Sequence, residues 1–129
     1  MTARRVMNNI GTDIDSDFEI SDVRDRGLLV GRLDGEIVGF IQYFVLEEPQ
    51  RALVPVHTIV ESEHAGKGYA GALVRELYQL AGREGMAVAP LCPYVVKWQA
   101  RHPKEAPAAS EELLSAATTA FAADPVRWW

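Results

Sequence analysis

A glycine-rich segment in the middle of the chain carries the strongest chemical signal in the sequence. Residues 61–71 read ESEHAGKGYAG, and Gly66, Gly68 and Gly71 stand where an apolar-periodic stretch begins. Glycine lets the backbone turn tightly and approach a ligand, and the first turn of a helix presents N–H groups that lack an intrahelical acceptor. With Lys67 among the glycines, the segment predicts a backbone cradle for a phosphate-bearing anion.

The same three glycines also spell G-x-G-x-x-G, the pattern of dinucleotide-binding folds. Three features argue against that interpretation. Several polar residues separate the preceding apolar run from the glycines, residues 89–92 offer no acid for a ribose, and the preceding strands are predicted to be antiparallel. A glycine-rich turn without a ligand is the plainest alternative, but a lysine and three glycines at a helix start exceed what a turn requires.

Two further side chains are candidates for group transfer. Cys92 precedes Pro93, which suits the first turn of a helix, so its thiol would lie at the positive end of a helix dipole. Such a thiol could accept an acyl group as a nucleophile; a small buried apolar residue at a strand end is the alternative. His57 is either a general base or a core histidine bonded to a carbonyl, and the sequence favours neither. No metal site is predicted.

The composition excludes several classes of function. The 129 residues are 48% apolar and 24% charged, which is typical of one globular domain. We expect neither a transmembrane helix nor a signal peptide, because no apolar run has the required length. A net charge of −5 argues against non-specific nucleic-acid binding, which relies on a basic surface. Cys92, the single cysteine, cannot form an internal disulfide and fits a reducing compartment, so we expect a cytoplasmic protein.

The elements that must position these residues begin with strands. Residues 1–20 are predicted to form a flexible arm, because the first part of this segment shows no apolar periodicity. From Tyr69 the apolar residues recur every three or four positions, which predicts a helix ending near Gly82 and Gly85. Between the arm and this helix, alternating apolar runs separated by turn signals predict an antiparallel meander of three strands, at 28–33, 37–46 and 53–60.

The remainder predicts one more strand and two helices. Residues 86–91 form a short apolar run, interpreted as a buried strand parallel to the third because a helix connects the two. Pro93 begins one helix and Ser110 caps another. The tail ends in Trp128 and Trp129, which we expect to dock on the domain or on a second subunit, so a homodimer is one expected assembly. The predicted fold is α+β, with a mixed sheet and C-terminal helices.

One motif resembles a known family. The segment HAGKGYAGAL, at 64–73, resembles the pyrophosphate-binding motif of GNAT acetyltransferases, in which arginine or glutamine precedes x-x-G-x-G/A. Gly68 and Ala70 fill the last two positions, whereas Ala65 stands where arginine or glutamine is usual. This departure keeps the backbone cradle and removes one side-chain contact.

A narrower resemblance covers about residues 21–106, with 107–129 as a C-terminal helix and tail packed on the domain or on a partner. The proteins that this region resembles are short GNAT-like proteins, which lack the two helices found after the first strand in most GNAT enzymes. The segments that carry it are DGEIVGFIQY, VHTIV, GKGYAGALV and PLCPYVVKWQARHP.

The resemblance implies a site for acetyl-CoA. The third and fourth predicted strands, at 53–60 and 86–91, would splay apart and admit the pantetheine arm. This arm would pair with the backbone of Ile59, Val60 and Glu61. Tyr94 would protonate the departing thiolate, as a tyrosine of the corresponding helix does in many GNAT enzymes; an aromatic packed on the sheet is the plainer interpretation. The residues implied to contact the coenzyme from the cradle are Gly66, Lys67, Gly68, Tyr69, Ala70 and Gly71.

Transfer of acetyl from acetyl-CoA to a small-molecule or peptide amine is therefore the predicted function. Direct attack in a ternary complex is the default mechanism, with a covalent relay through Cys92 as the variant. A non-catalytic acyl-CoA-binding module is the main alternative, because the substrate-lining helices are absent. An unrelated dinucleotide-binding protein is the weaker one.

Overall fold

Five strands form one mixed sheet in which neighbours in sequence are also neighbours in space. The computed structural model of the chain describes residues 17–124. The first four strands pair antiparallel, and the fifth lies parallel to the fourth after a helical crossover. The predicted α+β fold, an antiparallel meander followed by a β-α-β crossover, is confirmed. The strands are β1 (Phe18–Val23), β2 (Leu28–Leu33), β3 (Glu36–Leu46), β4 (Ala52–Val60) and β5 (Ala87–Val88).

The helices begin where the capping and turn residues predict. Pro93 is the first residue of its helix, and Ser110 Oγ accepts the Leu113 N–H at 3.1 Å. No helix among the described residues is long and apolar enough to cross a membrane. The helices are α1 (Tyr69–Arg83), α2 (Pro93–Arg101) and α3 (Glu111–Ala123), and single 3₁₀ turns occur at Arg24–Arg26 and Ser62–His64.

The two faces of the sheet carry separate cores. On the face that we call the front, α1 and α2 cover apolar side chains contributed by all five strands. On the back face, α3 packs Leu113 and Ala117 against Ala52, Val54 and Val56 of β4. Along β4 the back core therefore ends before His57, and the front core is the larger one.

Strand β1 was not predicted, because its apolar residues alternate with charged and polar ones over only six positions. Phe18 is fully buried, and Ile20 packs against the front core, so tertiary contacts rather than local pattern fix this strand. The last three residues of the predicted arm thus belong to the sheet. Residues 1–16 lie outside the described residues, as do Trp128 and Trp129, so the arm and the docking of the tail stay predictions.

Strand β5 is shorter than predicted. It covers two residues rather than 86–91. Pro90 has no N–H for a ladder, and the backbone beyond it turns toward α2. The crossover still brings the end of this strand beside β4.

A polar network ties β1 and β3 to the C-terminal end of α1. The Tyr43 ring is buried; its hydroxyl donates to Asp22 and accepts from Arg24 Nε at 2.8 Å. Arg24 also donates to Asp22 at 3.1 Å and to Glu84 at 3.0 Å. Burial raises the pKa of Tyr43, and the hydrogen bond to Asp22 raises it further, so the hydroxyl stays protonated.

Candidate active site

Strands β4 and β5 are joined at one end only. Their register pairs are Ala52 with Ala87 and Leu53 with Val88. The N–H groups of Leu91 and Cys92 then donate to the Pro55 carbonyl, at 3.1 and 3.0 Å. Strand β4 continues to Val60, and no other strand of residues 17–124 pairs with it on that side. The two segments therefore diverge after Pro55 and leave a gap, as the resemblance implies.

A β-bulge decides which backbone groups face this gap. Gln42 lies opposite His57 and Tyr43 opposite Pro55, so Val56 is an extra residue in β4. The Glu61 N–H donates to the Val38 carbonyl of β3 at 2.9 Å. Because alternate residues of an antiparallel strand bond to the same neighbour, His57 and Ile59 also turn their backbone polar groups toward β3. Thr58 and Val60 turn theirs toward the gap.

This register revises one expectation from the sequence. Of the three residues expected to pair with a coenzyme arm, Val60 faces the gap. Ile59 turns to β3, and Glu61 uses its N–H on Val38 and its carbonyl on His64. Thr58, which sequence reasoning passed over, takes the second position. The bulge at Val56 causes the difference, because it shifts the alternation of the strand by one residue.

The glycine loop lies at the start of α1. Gly66 and Gly68 have left-handed φ angles of 77° and 91°, which favour glycine. A Cβ on Gly66 would meet nothing within 4 Å. Gly68 is the N-cap of α1, without a side-chain cap, and the first turn holds no acidic residue. Together with the exposed Lys67, this loop presents backbone to open space beside a helix N-terminus, which fits a bound anion.

The first helical residues after the loop serve different roles. Tyr69 is 5% exposed and its ring lies 4.4 Å from that of Phe18, so its side chain belongs to the core and only its backbone is near the loop surface. Ala70 is half-buried. Gly71 faces α2: a Cβ there would lie 3.4 Å from Trp98 Nε1, an ordinary van der Waals contact.

Cys92 and Thr58 meet across the inner end of the gap. Cys92 is 4% exposed, is the N-cap of α2, and has its Sγ 3.4 Å from Thr58 Oγ1. The predicted position of the thiol at a helix N-terminus is confirmed. The thiol therefore sits beside the two gap-facing groups of the strand edge.

Tyr94 lies on the first turn of α2, near the start of α1. Its side chain is 37% exposed, and its hydroxyl is 3.7 Å from the position a Cβ would take on Gly71. Burial raises the pKa of Tyr94, Arg101 lowers it in part, and Cys92 raises it. The hydroxyl thus carries a proton at neutral pH and can donate it.

His57 lies on the other face of the sheet from Cys92. Thr58 reaches Cys92, a member of the front core, and Val60 also packs on that core. By the alternation of the strand, His57 and Ile59 point to the back. His57 is half-buried opposite Gln42. The structure thus brings Cys92, Thr58 and Tyr94 to the front of the gap and places His57 behind it.

The sheet, its gap and the glycine loop together have the architecture of the GNAT acetyltransferase fold. The family described as GCN5-related N-acetyl-transferase matches residues 29–108, more than half of the chain, and the chain belongs to that family. The predicted membership of the GNAT superfamily is thereby confirmed.

Solved structures give the same result. Ribosomal-protein-alanine N-acetyltransferase from Brucella melitensis biovar Abortus 2308 is 32% identical, with a TM-score of 0.51; the match covers 64% of this chain and 62% of that one. An aminoglycoside acetyltransferase from an uncultured soil metagenomic sample is 18% identical, with a TM-score of 0.50, over 65% of this chain and 58% of that one. The second likeness concerns the fold alone. The chain thus spans less than two thirds of each enzyme, and no curated protein matches it.

Proposed function

We propose that the protein transfers an acetyl group from acetyl-CoA to an amine. One observation carries the proposal. The gap between β4 and β5 is lined by the backbone of Thr58 and Val60, begins beside the glycine loop, and ends at Cys92. A site of this shape suits a ligand with an anionic end and an extended amide-bearing arm.

The residues present fit each part of such a ligand. The backbone of Gly66 and Gly68, with Lys67, would hold the pyrophosphate, and Ala65 leaves that site with one side-chain contact fewer than is usual in the family. The backbone N–H and C=O of Thr58 and Val60 would pair with the pantetheine amides as a neighbouring strand would. Bound acetyl-CoA supplies an activated acyl thioester.

Two side chains of the protein would then carry out the proton transfers, one on each face of the sheet. His57, on the back face, would accept a proton from an incoming ammonium or amine. Tyr94, on the front, would hold a proton at its hydroxyl for a thiolate leaving group. Cys92 lies near enough to Thr58 to be oriented by it, but direct attack by the amine needs no acyl-cysteine. We propose the direct route as the default.

A non-catalytic acyl-CoA-binding module is the second candidate. The observation in its favour is the short link between β1 and β2, a single 3₁₀ turn at Arg24–Arg26. No substrate-lining helix is inserted there.

The lone buried thiol of Cys92 suits a reducing compartment in either case, and we propose the cytoplasm.

The glycines at the two ends of α1 provide a matched test. Gly68 and Gly85 both have positive φ, 91° and 70°, so valine strains the backbone at either position. Acetyl-CoA at millimolar concentration should raise the melting temperature of the parent, because it binds the folded state. Gly68→Val should lose this rise while Gly85→Val keeps it.

The outcomes separate the candidates. No rise for a folded parent contradicts acetyl-CoA binding. A rise without release of CoA in the presence of amines favours the binding module. Equal rises in both variants would mean that the phosphates do not lie on the loop.

A further inference from the structure

Among residues 17–124, no element covers an apolar strip on the back face of the sheet. It consists of Ile37, Phe40 and Ile59, which are 46% exposed, half-buried and 49% exposed respectively. Phe40 lies directly opposite Ile59 in the register of β3 and β4. None of the three belongs to either core, because the contacts of α3 on β4 end at Val56.

The strip continues into the site proposed for acetyl transfer. His57 precedes Ile59 by two positions, so both side chains lie on the back face, roughly 7 Å apart along the strand. The front of the sheet is covered by α1 and α2. An amine that reaches the gap past His57 therefore comes over the back face, and whatever is attached to that amine lies along the strip.

Acidic side chains follow the strip just beyond the end of β4. Glu61 is two positions beyond Ile59, and carboxylate oxygens of Glu61 and Glu63 lie within 4.8 Å of each other and of a His64 ring nitrogen. Both glutamates are exposed. At the other end of the strip the charge is positive: Arg32 of β2 lies opposite Ile37 and donates to Ser21 at 3.1 Å. The surface beyond Ile59 is thus complementary to a positive charge.

We propose that the acceptor is an extended polypeptide with a free amino group, an apolar side chain about two residues away and a basic side chain about two residues further. The proposal rests on the acetyl-transfer function above. The spacing follows from His57 and Ile59 on β4 and from Glu61 just after it, whose N–H continues the pairing with β3, so that the three succeed one another at intervals of two. An apolar residue of the acceptor would remove Ile59 and Phe40 from water, which a polar sugar amine would not do.

Two pentapeptide amides with the same composition test the order of these features. The first, Ala-Ser-Leu-Ser-Arg, should be acetylated with a kcat/KM about tenfold above that of Ala-Ser-Arg-Ser-Leu, a difference typical of one well-placed apolar side chain. Ile59→Ser should erase this preference, and Glu61→Gln should reduce it. Val96→Ser is the matched control, because Val96 is 44% exposed but lies on α2.

Acetyl-CoA stabilisation of each variant, measured in thermal scans, separates the two proposals. If the variants are stabilised like the parent, and the preference disappears in Ile59→Ser, falls in Glu61→Gln and persists in Val96→Ser, the acceptor surface is supported. Equal rates for the two peptides, or faster acetylation of an aminoglycoside than of either peptide, overturn it and leave acetyl transfer standing. A parent that acetyl-CoA does not stabilise overturns both.

Discussion

The two ends of α1 are built on opposite principles. At the C-terminal end, Glu84 accepts a hydrogen bond from Arg24. Arg24 also donates to Asp22 and Tyr43, so the polar side chains of this network satisfy one another. At the N-terminal end, Gly68 caps the helix without any side-chain hydrogen bond. The first end uses its polar groups within the fold, whereas the second leaves backbone groups available. We therefore call the C-terminal end the anchor, and the N-terminal end, where we propose that the coenzyme phosphates bind, the receptor end.

Removing the hydroxyl at the anchored end should have the largest effect on stability. Tyr43→Phe takes away the acceptor of Arg24 and the donor to Asp22 and should lower the free energy of unfolding by about 2 kcal/mol. Urea denaturation measures the loss. The rise in melting temperature with acetyl-CoA should not change, because the network lies at the far end of α1; a diminished rise would mean that the two ends are coupled.

At the inner end of the gap, Cys92→Ser should cost less than about tenfold in turnover, roughly 1.4 kcal/mol, if the amine attacks directly. Serine keeps a hydroxyl within reach of Thr58, so the neighbouring contact is preserved. Steady-state CoA release with an accepted amine measures the effect. A loss of a thousandfold or more, with an added acetyl mass on the parent that Cys92→Ser lacks, would establish the covalent relay instead.

A third substitution affects stability at a tyrosine that lies outside the polar network of the anchor. Tyr78 of α1 is 7% exposed, and its hydroxyl has no hydrogen-bond partner among the described residues. Tyr78→Phe should therefore raise the free energy of unfolding by about 1 kcal/mol, the opposite sign from Tyr43→Phe. Denaturation of the two variants side by side tests this contrast. Equal losses would show that the Tyr78 hydroxyl is hydrogen-bonded after all.

The same residue predicts a pH dependence. Burial raises the pKa of Tyr78 to about 12 from 10.0, so the folded state holds its proton more tightly than the unfolded state. The resulting stabilisation is complete below pH 10 and is lost as the pH rises to 12, by up to roughly 1.4 kcal/mol per pH unit. Tyr78→Phe should flatten this alkaline decline in denaturation curves; an unchanged slope would assign the decline to other groups.

The smallest effect is expected at the surface of the anchor. Arg24 and Glu84 form an ion pair at 3.0 Å with side chains 35% and 37% exposed. Glu84→Gln should lower the free energy of unfolding by no more than about 0.5 kcal/mol, because solvent screens such a pair. Denaturation in low and high salt checks it. A loss near that of Tyr43→Phe would mean that the ion pair holds the whole network in place.

The sequence predicted the receptor end of α1 better than the anchor. Gly66, Gly68 and the apolar period after Tyr69 are local signals, and they located the loop and the helix correctly. The anchor depends on Asp22, Arg24 and Tyr43 meeting across two strands, which no local pattern specifies.

The strand edge shows the same limit at finer scale. β4 was predicted nearly to its ends, yet the groups that face the gap were not, because one extra residue at Val56 exchanges the two sides of the strand. Such a bulge is set by pairing with β3 and is invisible in the strand itself. The sequence predicted Cys92 at the start of a helix, but its contact with Thr58 required the fold.

Pro55 has a consequence for how the gap opens. Its carbonyl accepts two N–H groups from the far side, but an imino acid has no N–H of its own to return. Proline therefore leaves one hydrogen bond of a parallel ladder unmade at the point where β4 and β5 begin to diverge. Beyond it, the backbone groups of Thr58 and Val60 face the gap, and no strand among residues 17–124 pairs with them. A ligand need not break hydrogen bonds between the two segments, which lowers the reorganisation cost of its binding.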